Sequence, residues 1–365
     1  MENSIESQNY LKVNAEERQL KIGHFVFQSL NKPISPKTTH DAEQQSTLAN
    51  GFEDTWKNER KKTTEEELLI SFANQITNKA LRESGAQDSF FPSKDVHIVS
   101  TQEWSDPTSK SGVFAQESQS ITLVDTFKSR LSFMIRMIHE LFHAKSYQSI
   151  FTNPASGVKY ASRLGLVKFQ ENPEGMVGAF MQLNEAVVEA MVIESYHSYF
   201  NEFGMQPLLY EEINETERMR KLLLSPNNLE TMRVPDADGV MVTVTKSIIT
   251  GSFLDNNVLS EVYYINPQNP RDMDGFAYRS DRRNLELLIN EISTLGRYRK
   301  EQIYNIFKQA SISGNYSDMR RILDETIGHG SFEKLGQSSA GSNIFGNQTW
   351  ASELIQQFPQ RLRSE

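Results

Sequence analysis

Apolar positions first fall into a regular rhythm near Thr64. TEEELLISFANQITNKALRESG sets acids in a first turn, then apolar residues at helical spacing, with Gly85 as the stop. Three short runs follow: DVHIVS (95–100), GVFAQ (112–116) and SITLVD (120–125). The last two, parted by polar residues, predict an antiparallel pair. Helices are predicted from Lys128 to Ile150, over Gly175 to Phe200, and over 209–225. VPDADGVMVTV (234–244) reads as a turn into a strand, and its PDADG lacks the alternating oxygen ligands and closing glutamate of a calcium loop. From Arg283 to Ile327 the pattern is helical again, broken at Gly296 and at Ser313-Gly314-Asn315. This order predicts an α+β fold with a small, mostly antiparallel sheet and a C-terminal helical part.

The flanks lack that rhythm. In residues 1–63 an apolar patch, Ile22 to Leu30, runs into NKPISPKTTHDAEQQSTLANG, and beyond Gly330 comes GQSSAGSNIFGNQTW. Such composition buries too little apolar surface to order itself. The expected division is a flexible extension (1–63), a core (64–205), a mainly helical subdomain with a short hairpin (206–329), and a flexible tail (330–365).

Composition narrows the chemistry. The 365 residues carry 38 basic and 47 acidic side chains, a net charge of −9, with no basic block of the kind that tracks phosphates. A nucleic-acid partner is therefore not expected. Cysteine is absent. Disulfides, thiolate ligands and cysteine nucleophiles go with it, so any metal must sit on His and carboxylate. The N-terminus has no apolar signal-peptide core, and no run reaches the roughly 18 to 20 apolar residues of a membrane helix. The expected location is cytoplasmic with no membrane span, export by another route remaining open.

Within MIRMIHELFHAKSY (134–147), His139-Glu140-Leu141-Phe142-His143 sets two imidazoles four residues apart, on one face of a helix. Glu140, turned by about 100°, stands beside an ion held there rather than on it, the place for a general base acting on a metal-activated water. This composition yields H-E-x-x-H by chance only about 0.01 times, so the word calls for an explanation. Met134, Ile138, Leu141 and Phe142 make the buried side. A catalytic zinc needs a third protein ligand. The Gly and third His of a metzincin do not follow, whereas LNEAVVEAM offers Glu185 and Glu189 on one face of an otherwise apolar helix.

HELFH followed by a helix opening N-E-x-x-x-E resembles the gluzincin metallopeptidases, the family of thermolysin and anthrax lethal factor. The resemblance covers residues 95–200 and, more weakly, 277–327. It implies a zincin-like core and a Zn2+ ion on His139, His143 and Glu185, with Glu189 fixing a ligand histidine. It further implies Glu140 as general base and a peptide or protein substrate pairing with a sheet edge, for which SITLVD is the candidate. The stretch between His143 and Glu185 is longer than in thermolysin. The residue that stabilises the oxyanion in such enzymes has no fixed spacing; Tyr160 and Tyr278 are candidates, and His197 is disfavoured by its angle on the helix. Rival readings are a regulatory or scaffold protein that keeps the metal without turnover, a host-directed effector or toxin, and a metal-free helical interaction domain.

Overall fold

A computed structural model describes residues 56–57, 59–100, 112–116, 118–125, 129–152, 159–172, 175–200, 208–214, 231–235, 241–249, 261–265, 278–296, 298–340 and 350–358. It is an α+β fold. Helix α1 (Thr64–Glu83) opens with a capping box: Glu66 N donates to Thr63 Oγ1 (3.1 Å) and Thr63 N to Glu66 Oε2 (2.8 Å). That reciprocal pair satisfies two otherwise orphaned donors. The helix buries Leu69, Ile70, Ala73 and Ile76, and each large apolar side chain so buried stabilises by about 1.5–3 kcal/mol.

Strands β1 (Val96–Val99), β2 (Gly112–Ala115) and β3 (Ser120–Val124) form one sheet in the order β1-β3-β2. The expected β2–β3 pair is antiparallel, Phe114 facing Ile121, while β1 runs parallel to β3. This corrects the edge assigned from sequence. Ser120–Val124 is the central strand, buried throughout, and the edges are β1 and β2. Strand order depends on long-range pairing that local periodicity does not encode.

Helix α2 (Arg130–Lys145) follows, capped by Ser129 Oγ on Ser132 N (3.0 Å) and by Glu212, from the helical residues 208–214, on Leu131 N (2.7 Å). It stops five residues short of the expected Ile150. Ser146 turns extended and its hydroxyl donates to Phe142 O (2.7 Å), so a side chain takes a terminal carbonyl and Gln148 onward joins a ladder. Strands β4 (Gln148–Thr152), β5 (Lys159–Leu164), β6 (Val167–Asn172) and β7 (Gly175–Ala179) form an antiparallel meander. Residues 175–179 were expected to open a helix. They pair instead with β6, from Asn172 with Gly175 to Lys168 with Ala179. A short apolar run such as GMVGA suits either state, and here the β6 ladder decides.

Helix α3 (Met181–Tyr199) begins after Phe180, whose φ is +62°, and is buried on nearly every side, which marks it as the central helix. Strands β8 (Thr231–Pro235), β9 (Met241–Ile249) and β10 (Glu261–Ile265) make a third antiparallel sheet. Its β8–β9 pair bears out the strand expected after Pro235, while residues 236–240 lie outside the described residues. The helices α4 (Arg279–Leu295), α5 (Lys300–Ser313) and α6 (Ser317–Thr326) break at Gly296 and Gly314 as expected. Within the stretch expected to be a flexible tail stand α7 (Ser331–Ser338) and α8 (Trp350–Gln357). Phe332, Leu335, Trp350 and Leu354 are buried in the common core, so a few well-spaced apolar residues anchor these two helices, while residues 341–349 lie outside the described residues. Of the expected N-terminal extension, Trp56 donates from its indole to Thr122 Oγ1 (2.8 Å), and residues 1–55 lie outside the described residues.

Two polar contacts fix the site helices. Lys308 of α5 pairs with Glu194 of α3 at 2.7 Å. The Lys145 ammonium of α2 donates to Thr77 Oγ1 (2.7 Å) and Asn78 Oδ1 (2.8 Å) of α1, and burial lowers its pKa well below the ordinary lysine value.

Candidate metal centre

α2 and α3 pack so that the HELFH face meets the Glu185–Glu189 face. His139 Nε2 and His143 Nε2 lie 3.1 Å apart, and each is 3.3 Å from Glu185 Oε2. A tetrahedron with bonds of about 2.0–2.1 Å has edges of about 3.3–3.4 Å, so these atoms match one face of a zinc-sized coordination shell. Glu185 Oε2 is buried and takes no hydrogen bond from a protein donor. Such an orphan is costly unless something occupies the point between the three atoms. Two imidazoles and a carboxylate are donors suited to zinc, and other divalent first-row ions also take them. Among the described residues, this is the one group whose donor atoms converge in this way.

A neighbouring carboxylate sets the His139 tautomer. Glu189, almost wholly buried, places Oε2 2.7 Å from His139 Nδ1. A carboxylate only accepts, so Nδ1 carries the proton and Nε2 offers its lone pair to the centre. Asn184, the residue before Glu185, lies with Nδ2 3.5 Å from His143 Nδ1, and its Oδ1 accepts from Leu166 N at 2.9 Å. The β5–β6 turn thus holds the amide against the second histidine. Burial by itself would lower the His139 pKa, but the adjoining carboxylates of Glu185 and Glu189 outweigh it and raise the pKa well above the usual histidine value. Glu185 shows the converse: burial would raise it, yet the two histidines hold it well below the usual carboxylate range. The cluster therefore favours cationic charge at its centre.

The Glu140 carboxylate lies against the start of β2. A Cβ on Gly112, at the start of β2, would lie 3.0 Å from Glu140 Oε1 and 2.9 Å from Leu123 Cδ2, so any larger residue there would displace these side-chain ends. Arg136, one helical turn before Glu140, has its pKa lowered by burial, which the Glu140 charge only partly offsets.

Tyr278 is brought to the cluster. It sits at the N-cap of α4 in the left-handed region (φ +54°), and its ring stacks on His139 with centroids 5.5 Å apart and planes 9° from parallel. Burial raises its pKa well above the ordinary phenol value, as do the charges of Glu185, Glu140 and Glu189 and a hydrogen bond to Glu185, so the hydroxyl stays a donor. Tyr160 lies on β5 opposite Phe151, with its side chain outside the described residues, and nothing assigns it to the site. His197 is exposed in the last turn of α3.

Sequence reasoning missed the parts played by Asn184, Gly112, Arg136 and Asp281. Asn184 and Arg136 carried a local signal, one directly before Glu185 and the other four residues before Glu140. Gly112 and Asp281 carried none. Asp281, in the first turn of α4, is pushed from 3.8 up to about 6 by burial, against a hydrogen bond from Trp350 and with the Glu185 charge adding to the rise. Its folded form thus keeps a proton that the unfolded chain releases. The resulting stabilisation is full below pH 3.8 and lost as pH rises to about 6. In metal-free protein, urea midpoints of Asp281→Asn should gain on wild type steadily across that window and level off above it. A constant difference would contradict the assignment.

No protein-family model, curated protein or solved structure matches the chain. Among the described residues, no helix is long and apolar enough to cross a membrane.

Proposed function

We propose that this chain is a zinc-dependent metallopeptidase of the gluzincin type, with a zincin-like core. The observation that carries the reading is the triangle of His139 Nε2, His143 Nε2 and Glu185 Oε2, with sides of 3.1, 3.3 and 3.3 Å, one corner of which is a buried orphan oxygen. These three residues would hold the ion, which when bound supplies Lewis acidity to a water and to the scissile carbonyl. Glu140 takes the proton of the attacking water at its carboxylate and passes it to the leaving amine. Tyr278, kept protonated, donates a hydrogen bond to the oxyanion. Glu189 holds His139 in the ligating tautomer. Substrate peptide adds as a strand to the β2 edge, which Gly112 brings against Glu140.

The test is cleavage of a peptide library by zinc-loaded protein, by chelated protein, and after zinc is restored. Cleavage that disappears on chelation and returns with zinc supports the reading. A chain that binds one zinc and cleaves nothing would instead be a non-catalytic relative of the fold. Gly112→Ala should keep its zinc and lose turnover on the order of 100-fold, since displacing a catalytic group by about 1 Å has that effect. Unchanged turnover would remove β2 from the account.

A further inference from the structure

Both helices that follow a left-handed aromatic residue lack a side-chain cap. Phe180 (φ +62°) precedes α3 and Tyr278 (φ +54°) precedes α4, and neither side chain bonds the first turn. Such conformations cost on the order of 1–3 kcal/mol and persist only where the surroundings enforce them. For α3 the partners come from the end of α7: Phe180 N donates to Gly336 O (3.1 Å) and Gln182 N to Ser339 O (2.9 Å). A Cβ on Gly336 would fall 2.8 Å from the Phe180 ring. For α4 the support comes from α8. Asp281 and Asn284, three residues apart and both buried, receive the Trp350 indole N–H (3.4 Å) and the Ala351 backbone N–H (3.1 Å). Trp350 itself has no exposed surface.

We propose that α8 is a clasp on the metal centre: docked through Trp350 and Ala351 on Asp281 and Asn284, it fixes the first turn of α4 and so holds the Tyr278 ring over His139. Trp350 is then a positioning residue, acting on the site through α4 without touching it. The clasp rests on the peptidase reading only for its effect on turnover; the bracing stands on the contacts themselves. Two donors at the start of α8 meet two buried acceptors one turn apart on α4, and this pairing sets one register for docking. Asp281 lies three residues after Tyr278, so a shift of that turn moves the ring directly.

The experiment uses full-length, zinc-loaded Trp350→Phe, which keeps the buried ring and removes the N–H, beside Asn284→Ala, which removes the acceptor and leaves Trp350 in place. Amide hydrogen exchange in residues 281–284 should accelerate on the order of 10-fold in both, with α2 and α3 unchanged. In Trp350→Phe, kcat should fall on the order of 10-fold with KM kept, and Trp350→Phe should add no further loss in a Tyr278→Phe background. Exchange unchanged in α4, exchange raised alike in every helix, or fully additive kcat losses would each overturn the clasp. If Trp350→Phe does not fold, Asn284→Ala carries the same expectations. Local acceleration in a chain that binds zinc without turnover would support the clasp while removing the peptidase reading.

Discussion

The Glu140→Gln variant should keep its zinc and lose peptide hydrolysis by about 10²–10⁴-fold, the usual contribution of a positioned general base. Glutamine matches the volume of glutamate and leaves His139, His143 and Glu185 untouched. The Glu140 carboxylate is buried against the start of β2, with Arg136 one turn away on α2. The amide cannot take a proton from water, so the loss should appear in kcat with KM nearly unchanged. Measuring zinc content and turnover on the same preparation separates the two effects. Full turnover with full zinc would move the base elsewhere.

Replacing Glu185 by alanine should remove stoichiometric zinc altogether. Glu185 Oε2 is one of three corners, and the remaining two imidazoles do not make a catalytic zinc site. The effect should exceed that of Glu189→Ala, where loss of the carboxylate on His139 Nδ1 is expected to weaken metal about 10–100-fold. Thermal unfolding gives an independent readout. Zinc at about 100 times its dissociation constant should stabilise wild type by about 2.7 kcal/mol, and this increment should vanish in Glu185→Ala. A variant that still carries one tightly held zinc would exclude Glu185 as a ligand.

Much of the site was legible because its parts are local. His139 and His143 share a face by helical spacing, as do Glu185 and Glu189, and two acids inside so apolar a helix call for a shared partner. The side chain of Tyr278 could be named but not placed, since its approach depends on a left-handed residue ahead of α4. The helix ends at Lys145 and Met181 were misjudged for one reason: SYQSIFT and GMVGA are apolar enough for either state, and only the β5 and β6 ladders decide between them. That β3 lies at the centre of its sheet follows from pairing with β1, twenty-odd residues away, which no local pattern carries. The C-terminal helices were hidden because their core residues, Leu335 and Trp350 among them, are sparse within glycine and serine.

On this reading His139, His143 and Glu185 form one metal site. Diffraction from zinc-loaded crystals, recorded at the zinc absorption edge, tests it most directly. A single anomalous peak is expected about 2.0–2.2 Å from both Nε2 atoms and from a Glu185 carboxylate oxygen. No peak there, or a peak held by other residues, would contradict it.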